Sequence, residues 1–259
     1  MIHESVPPAL TDVTPQAAVP SRTLAERTIV VVGASRGIGA ACTSAITAAG
    51  ARVVGISRSG SMPIEAKGSY GQALDVTDVA AVARFFKECP AIDGMVNAAG
   101  TNQPGPASQV SEEAFDTVFR LNTRAGYFLL KACADAMIRQ DRAGGLITVS
   151  SQMGHVGAPN RTVYCASKHA VEGMTKAFAL ELAPRAIRVN TIAPTFIRTD
   201  LTEPMLRDPR FEADVLSRIP LGRLGTATEV AEAAVFLLSD AAAFVTGTSL
   251  RIDGGWTAV

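Results

Sequence analysis

The chain has 259 residues, 47% of them hydrophobic and 19% charged, with 24 Lys and Arg against 24 Asp and Glu. That length and composition suit one large α/β domain with a sizeable core and exclude a wholly disordered chain. The balanced charge gives no footprint for nucleic acid or an anionic membrane surface, and no apolar run reaches the roughly 18–20 residues that span a bilayer.

Residues 1–26 are rich in Pro, Ala, Thr and Ser, with prolines at Pro7, Pro8, Pro15 and Pro20. They read as a flexible tail before a single catalytic domain over 27–259. No basic start followed by an apolar core marks them as a secretory signal. Cys42, Cys89, Cys133 and Cys165 form no CxxC pair, and no His/Cys cluster has metal-ligand spacing. No metal site is expected, and reduced cytoplasmic thiols are the simplest account.

A first strand is expected over 28–32. It runs into Gly33-Ala34-Ser35-Arg36-Gly37-Ile38-Gly39, which opens a helix over 37–49. Glycines between a strand and a helix let the backbone turn tightly and approach a pyrophosphate, which then sits on the positive helix end. The second strand, 52–57, ends in Ser57-Arg58 with no carboxylate before Glu65. An acid at this point holds a free ribose, whereas a cation holds a 2′-phosphate. Arg58 and Arg36 therefore favour NADP(H), with NAD(H) as the alternative.

The third strand, 72–75, ends in Asp75-Val76, where a carboxylate can accept from the adenine amine. A helix over 78–88 leads to the fourth strand, 92–97, which ends in Asn97-Ala98-Ala99-Gly100. Small residues there allow close approach of a cofactor. A helix over 111–140, a fifth strand over 146–150, a helix over 162–183 and a sixth strand over 188–192 follow. A helix over 226–239 and a seventh strand over 249–252 close the pattern. Most strands are continuous apolar runs, as strands buried on both faces are, so the alternation predicts a doubly wound parallel sheet.

Tyr164 and Lys168 stand four apart, and Ser151 lies thirteen residues upstream. On a helix the lysine projects from the same face as the tyrosine. Its charge is expected to lower the phenol from its ordinary value near ~10 toward working pH. The Ser151 hydroxyl, from a second element, would orient a carbonyl or alcohol against that phenol.

Together the glycine loop, Asn97-Ala98-Ala99-Gly100, Asn122, Ser151, Tyr164 with Lys168, and Asp253-Gly254-Gly255 resemble the classical short-chain dehydrogenase/reductase family from about Thr28 onward. The resemblance implies a Rossmann-like, seven-stranded parallel sheet flanked by helices on both faces. It implies an NAD(P)-dependent oxidoreductase that interconverts a secondary alcohol and a ketone by hydride transfer. Tyr164 would be the general acid or base, Ser151 would orient the substrate oxygen, and Lys168 would hold the nicotinamide ribose. Asn122 would bind a water in a proton relay. Thr199 would reach the nicotinamide carboxamide, with Pro194, Thr195 and Ile197 completing that end of the cofactor site. A homotetramer is implied, built on the 111–140 and 162–183 helices, with a dimer as the alternative.

Two positions depart from the family pattern. Thr195 stands where glycine is common, so the loop beside the nicotinamide is expected to take a different path. Val32 replaces a threonine whose hydroxyl braces the glycine loop. The segment between the second and third strands is also short, so its helix is expected to be truncated.

Residues 195–222 read as a substrate lid with an apolar stripe that includes Phe196, Leu201, Met205 and Phe211. The loop after Ser151 supplies Gln152, His155 and Asn160 for the opposite wall. These polar groups point to a small hydroxylated substrate: a sugar, polyol or hydroxy acid. A 3-oxoacyl-[acyl-carrier-protein] reductase is the alternative, with Arg142 and Arg185 placed to dock the carrier. A non-catalytic dinucleotide sensor is the remaining class, disfavoured because Tyr164 and Lys168 are both kept.

Overall fold

Alternate side chains of a strand face opposite ways, and this chain has apolar residues for both. In β1 (Thr28–Val32), Val30 and Val32 pack on one side of the sheet, while Ile29 and Val31 pack on the other. The computed structural model describes residues 23–64, 66–200 and 202–258. Its sheet is seven-stranded and parallel, in the order β3-β2-β1-β4-β5-β6-β7. The remaining strands are β2 (Arg52–Ser57), β3 (Tyr70–Ala73), β4 (Gly94–Asn97), β5 (Gly144–Val149), β6 (Ile187–Pro194) and β7 (Ser249–Ile252). After β3 the chain returns across β1 to β4, so the strand order reverses between β1 and β4. A crevice opens there at the carboxyl ends of the strands.

One face is covered by α1 (Gly37–Ala48) and α8 (Ala227–Leu238), whose Cys42, Ile46, Val230 and Leu237 meet Ile29, Val31 and Val96. The other face is covered by α2 (Val79–Glu88), α4 (Gly126–Arg139) and α5 (Thr162–Leu182), where Phe86, Leu129 and Ala179 meet Val30, Val54 and Leu146. Leu24 is fully buried with the first group, and its N–H donates to the Ala49 carbonyl at 3.0 Å. The turn 23–26 is therefore packed against the sheet although it falls in the expected tail. Residues 1–22 of that tail lie outside the described residues.

Several boundaries differ from the sequence expectation: the fourth strand starts two residues late at Gly94, the fifth two residues early at Gly144, and three further differences have a local setting. The third strand sits at Tyr70–Ala73, two residues early. Ser69 Oγ takes the Val53 N–H at 2.9 Å and sets where pairing begins. Asp75 accepts from the Thr77 N–H at 2.9 Å and the Thr77 hydroxyl at 2.8 Å, which turns the chain after the strand. The long helix over 111–140 is two α-helices, α3 (Glu112–Phe119) and α4, joined by a π-helical turn at Arg120–Ala125. The sixth strand runs on to Pro194, paired with Ile252 of β7. Among the described residues the β2–β3 connection carries no helix, as its shortness predicts.

The lid carries α6 (Glu203–Leu206) and α7 (Pro209–Ser217). Its apolar stripe is mostly packing: Phe196, Val215 and Ile219 cluster with Met153, Phe211 and Trp256. Leu201 lies outside the described residues.

Candidate active site

The glycine loop opens the crevice. Gly33 has φ +81, in the left-handed region, and a Cβ on it would lie 3.2 Å from the backbone of Ala98 and Ala99. A Cβ on Gly39 would fall 2.0 Å from the Gly33 carbonyl oxygen, so only glycine lets the turn close. Without the threonine hydroxyl, the loop is braced through the main chain. The Gly33 and Ala34 N–H groups donate to the Ile56 carbonyl at 2.8 and 3.1 Å. Arg36 caps α1 with no side-chain bond to the helix, which leaves the first-turn N–H groups facing the crevice.

The crevice encloses about 510 Å³. Gly33, Ser35, Arg36, Gly37, Ile38, Gly39, Ser57, Arg58, Asp75, Val76, Ala98, Ala99, Gly100 and Thr199 all line it. Sequence reasoning missed Thr77, Thr117, Arg120 and Asp200, which line it as well. Thr77 and Arg120 are brought there by a turn and by the π-helical segment, neither of which has a spacing signature. Thr77 holds Asp75 well below the usual carboxylate range, helped by Arg58 and Arg120. This fixed acid, the nearby cations and the glycine cradle fit a dinucleotide. Six expected cofactor residues stand off the crevice lining, and Tyr164 and the buried Lys168, both on α5, are two of them. Asn97 is buried and caps the turn by accepting from the Ala99 N–H at 3.1 Å. Pro194 ends β6, Ile197 is buried against Ala231 and its neighbours, and Thr195 lines a second cavity instead.

That second cavity, about 250 Å³, holds the reactive edge. Ser151 follows β5 directly. Its hydroxyl accepts from the Met153 N–H at 3.1 Å and donates to Gln152 Oε1 at 2.8 Å. Tyr164 and Lys168 share a face of α5, with Lys168 Nζ 5.6 Å from the tyrosine ring centre. Ser151, Gln152, Tyr164, Phe196 and Met205 of the expected lid stripe line the cavity together with Asn102, Pro104 and Arg161, which the sequence reading did not single out.

His155 does not line it. Its Nε2 lies 2.8 Å from Ser249 Oγ and 3.4 Å from Glu172 Oε1, so the ring faces a polar cluster behind the site. Glu172, 5% exposed, needs those partners, and the Thr191 hydroxyl donates to it as well.

Electrostatics reverses one expectation. Burial pushes the Tyr164 phenol up to about 12, while the Ser151 hydroxyl pulls it the other way. Burial also pushes the Lys168 ammonium down to about 8, opposed by the Glu172 carboxylate. Lys168 Nζ donates to the Val149 carbonyl at 2.9 Å. Desolvation therefore outweighs the lysine's expected pull on the phenol and leaves Tyr164 a proton donor at neutral pH.

Asn122 lies in the π-helical turn and is buried. It accepts from the Thr101 N–H at 2.8 Å and donates to the Thr101 carbonyl at 2.9 Å and to Ser167 Oγ at 3.1 Å. A Cβ on Gly100 would meet Asn122 Oδ1 at 3.3 Å and Lys168 Nζ at 3.7 Å, so both polar ends flank that glycine. Thr195 keeps out of the left-handed region, and its N–H donates to the Ile252 carbonyl at 3.2 Å.

A glycine-built crevice near a cavity edged by a serine and a buried tyrosine has counterparts among known proteins. A family model described as enoyl-(acyl carrier protein) reductase matches residues 33–257. Human L-xylulose reductase is 36% identical over 91% of this chain and 98% of its own length. The 3-oxoacyl-[acyl-carrier-protein] reductase of Vibrio harveyi is 39% identical over 87% of this chain and 95% of its own. A solved structure from Agrobacterium tumefaciens, provisionally named a 2-deoxy-D-gluconate 3-dehydrogenase and carrying bound NADP, superposes with a TM-score of 0.85. It is 34% identical and covers 92% of this chain and 99% of that one. With likeness running from the glycine loop to the C-terminal strand, this chain belongs to the classical short-chain dehydrogenase/reductase family.

Proposed function

We propose that the protein is an NADP(H)-dependent oxidoreductase that interconverts a ketone and a secondary alcohol on a small hydroxylated substrate of the sugar or polyol class. The observation that carries this reading is the meeting of two cavities. A crevice lined by Arg36, Arg58 and Arg120 neighbours a small cavity edged by Ser151 and Tyr164 where Thr101 of the one precedes Asn102 of the other and Thr199 touches Thr202. The bound cofactor supplies the hydride. Tyr164 gives its phenolic proton to the carbonyl oxygen as negative charge develops there. Ser151 holds the same oxygen through its hydroxyl, and burial strengthens both contacts. Lys168, which burial brings down to about 8, would return a proton toward Tyr164 through a relay water held by Asn122.

The 3-oxoacyl reading draws on the Vibrio harveyi relative. Arg142, however, is paired with Asp93 at 2.5 Å. It and Arg185 precede β5 and β6, at the sheet edge opposite Ser151 and Tyr164. A cavity of about 250 Å³ also suits a short substrate better than a long acyl chain.

Exposed Phe115 and Tyr127, on α3 and α4, support self-association as a homotetramer or dimer. The free thiols of all four cysteines suit the cytoplasm. No described helix is long and apolar enough to cross a membrane.

Titration with NADPH and NADH, followed by nicotinamide fluorescence, tests the cofactor assignment. NADPH is expected to bind at least tenfold more tightly, and Arg58→Ala to remove most of that preference without weakening NADH. Equal affinities in the wild type would overturn it.

A further inference from the structure

Arg161 is the residue before α5 and is only 9% exposed, yet it lines the same cavity as Tyr164. Its Nη1 donates to the Asn160 carbonyl at 3.1 Å, and its Nη2 approaches Met205 Sδ at 3.4 Å. Among the described residues no carboxylate forms an ion pair with it. A guanidinium has five N–H donors and stays charged in proteins, and only two bonds engage this one. An enclosed charge without a counter-charge is costly, and burial holds this group below the usual arginine range.

Two more polar atoms on that cavity stand alone. Asn102 Oδ1 and Thr195 Oγ1 are buried with no hydrogen-bond partner, and both residues line the cavity. Buried polar atoms in native proteins are normally satisfied, so a guanidinium without a carboxylate and two unpartnered oxygens among the residues lining one small cavity point to a missing ligand. Its chemistry follows from theirs: an anion for the guanidinium, and hydroxyl or carboxylate oxygens for the amide carbonyl and the threonine hydroxyl. Thr195 replaces a common family glycine, so its hydroxyl is a feature this chain adds.

We propose that Arg161 binds a substrate carboxylate, so that the preferred substrates are hydroxylated keto acids of the sugar-acid type rather than uncharged ketoses. A turn of the Thr195 and Asn102 side chains, whose buried oxygens lack partners, would bring Oγ1 to the second carboxylate oxygen and Oδ1 to a substrate hydroxyl. Planar, bidentate recognition is the reason for an arginine here rather than a lysine. The assignment rests on the reading of this cavity as the place of carbonyl reduction.

The test compares NADPH oxidation on 2-keto- and 5-keto-D-gluconate with that on D-fructose, L-sorbose and D-fructose 6-phosphate. Wild-type enzyme is expected to favour a keto-gluconate over both uncharged ketoses by at least tenfold in kcat/KM. Arg161→Gln is expected to lower keto-gluconate kcat/KM by roughly 100-fold, mainly through KM, because a buried charge pair is broken. The same variant should lower ketose reduction far less than keto-gluconate reduction and leave NADPH affinity within about twofold, and Arg161→Lys should recover part of the preference. Equal loss on charged and uncharged substrates would make Arg161 merely structural and overturn the assignment. Preference for the uncharged ketoses or for the phosphate ester would overturn it too. If NADPH binds but none of the five compounds is reduced, both the assignment and the proposed reaction fail; if the ketoses alone are reduced, only the assignment fails.

Discussion

The two cavities are built from different materials. The cofactor crevice is a main-chain object: positive-φ glycines, a helix start and small residues at strand ends shape it, and side chains add Arg36, Arg58 and Asp75 at one end. The substrate cavity is a side-chain object, assembled from the β4 exit, the Ser151 turn, the start of α5 and the lid. Main-chain shape depends on residues close in sequence, whereas side-chain shape depends on which distant segments are brought together. One can therefore be inherited across many chemistries while the other changes with each substrate.

Independence of the two cavities has a direct test in Tyr164→Phe, which removes one oxygen from the reactive edge and nothing from the crevice. Ketone reduction is expected to fall by about 10³-fold or more, with NADPH affinity unchanged within twofold. A matching loss of cofactor affinity in fluorescence titration would mean that the two cavities do not act separately.

Lys168 sits between them, and its titration sharpens the comparison. Its folded value of about 8 lies below its ordinary 10.5, so between those limits the unfolded chain holds more proton than the folded one. Wild-type stability therefore gains as pH rises through that window, and Lys168→Met lacks this gain. The melting temperature of the variant minus that of wild type should fall steadily from pH 8 toward pH 10.5. A pH-independent difference in calorimetry would mean that Lys168 is not desolvated.

The smallest effect is expected behind the cavity wall. Because His155 faces Ser249 and Glu172, His155→Ala should change KM by less than threefold. Loss of its buried hydrogen bond, about 1 kcal/mol, should lower the melting temperature by roughly 2–4 °C. A tenfold rise in KM would return His155 to the substrate wall.

Legibility in the sequence followed the same division. The sheet and its glycine loop were readable because buried parallel strands are apolar runs and Gly33-x-x-x-Gly37-x-Gly39 constrains its own backbone. The strand ends were less so: β3 is placed by the Ser69 and Asp75 side chains, which carry no periodic signal. At the substrate cavity, spacing singled out Ser151 and Tyr164 but not Asn102 or Arg161, which are drawn in from a loop and a helix cap. His155 was misplaced because a polar loop residue can face either way, and only the position of Glu172 decides. The direction of the Tyr164 shift was missed for a related reason, since spacing reveals a nearby charge but not the depth of burial.

The π-helical turn at Arg120–Ala125 has a consequence for durability. Such a turn amounts to one surplus residue in an otherwise regular helix. Deleting that residue would tidy the hydrogen-bond ladder from α3 into α4. It would also swing Asn122 about 100° around the helix axis, away from Thr101 and Ser167. Breeding for heat tolerance alone would thus be drawn toward a sturdier helix at the cost of the Asn122 contacts, and directed evolution that is to keep them must hold residues 120–125 fixed in length.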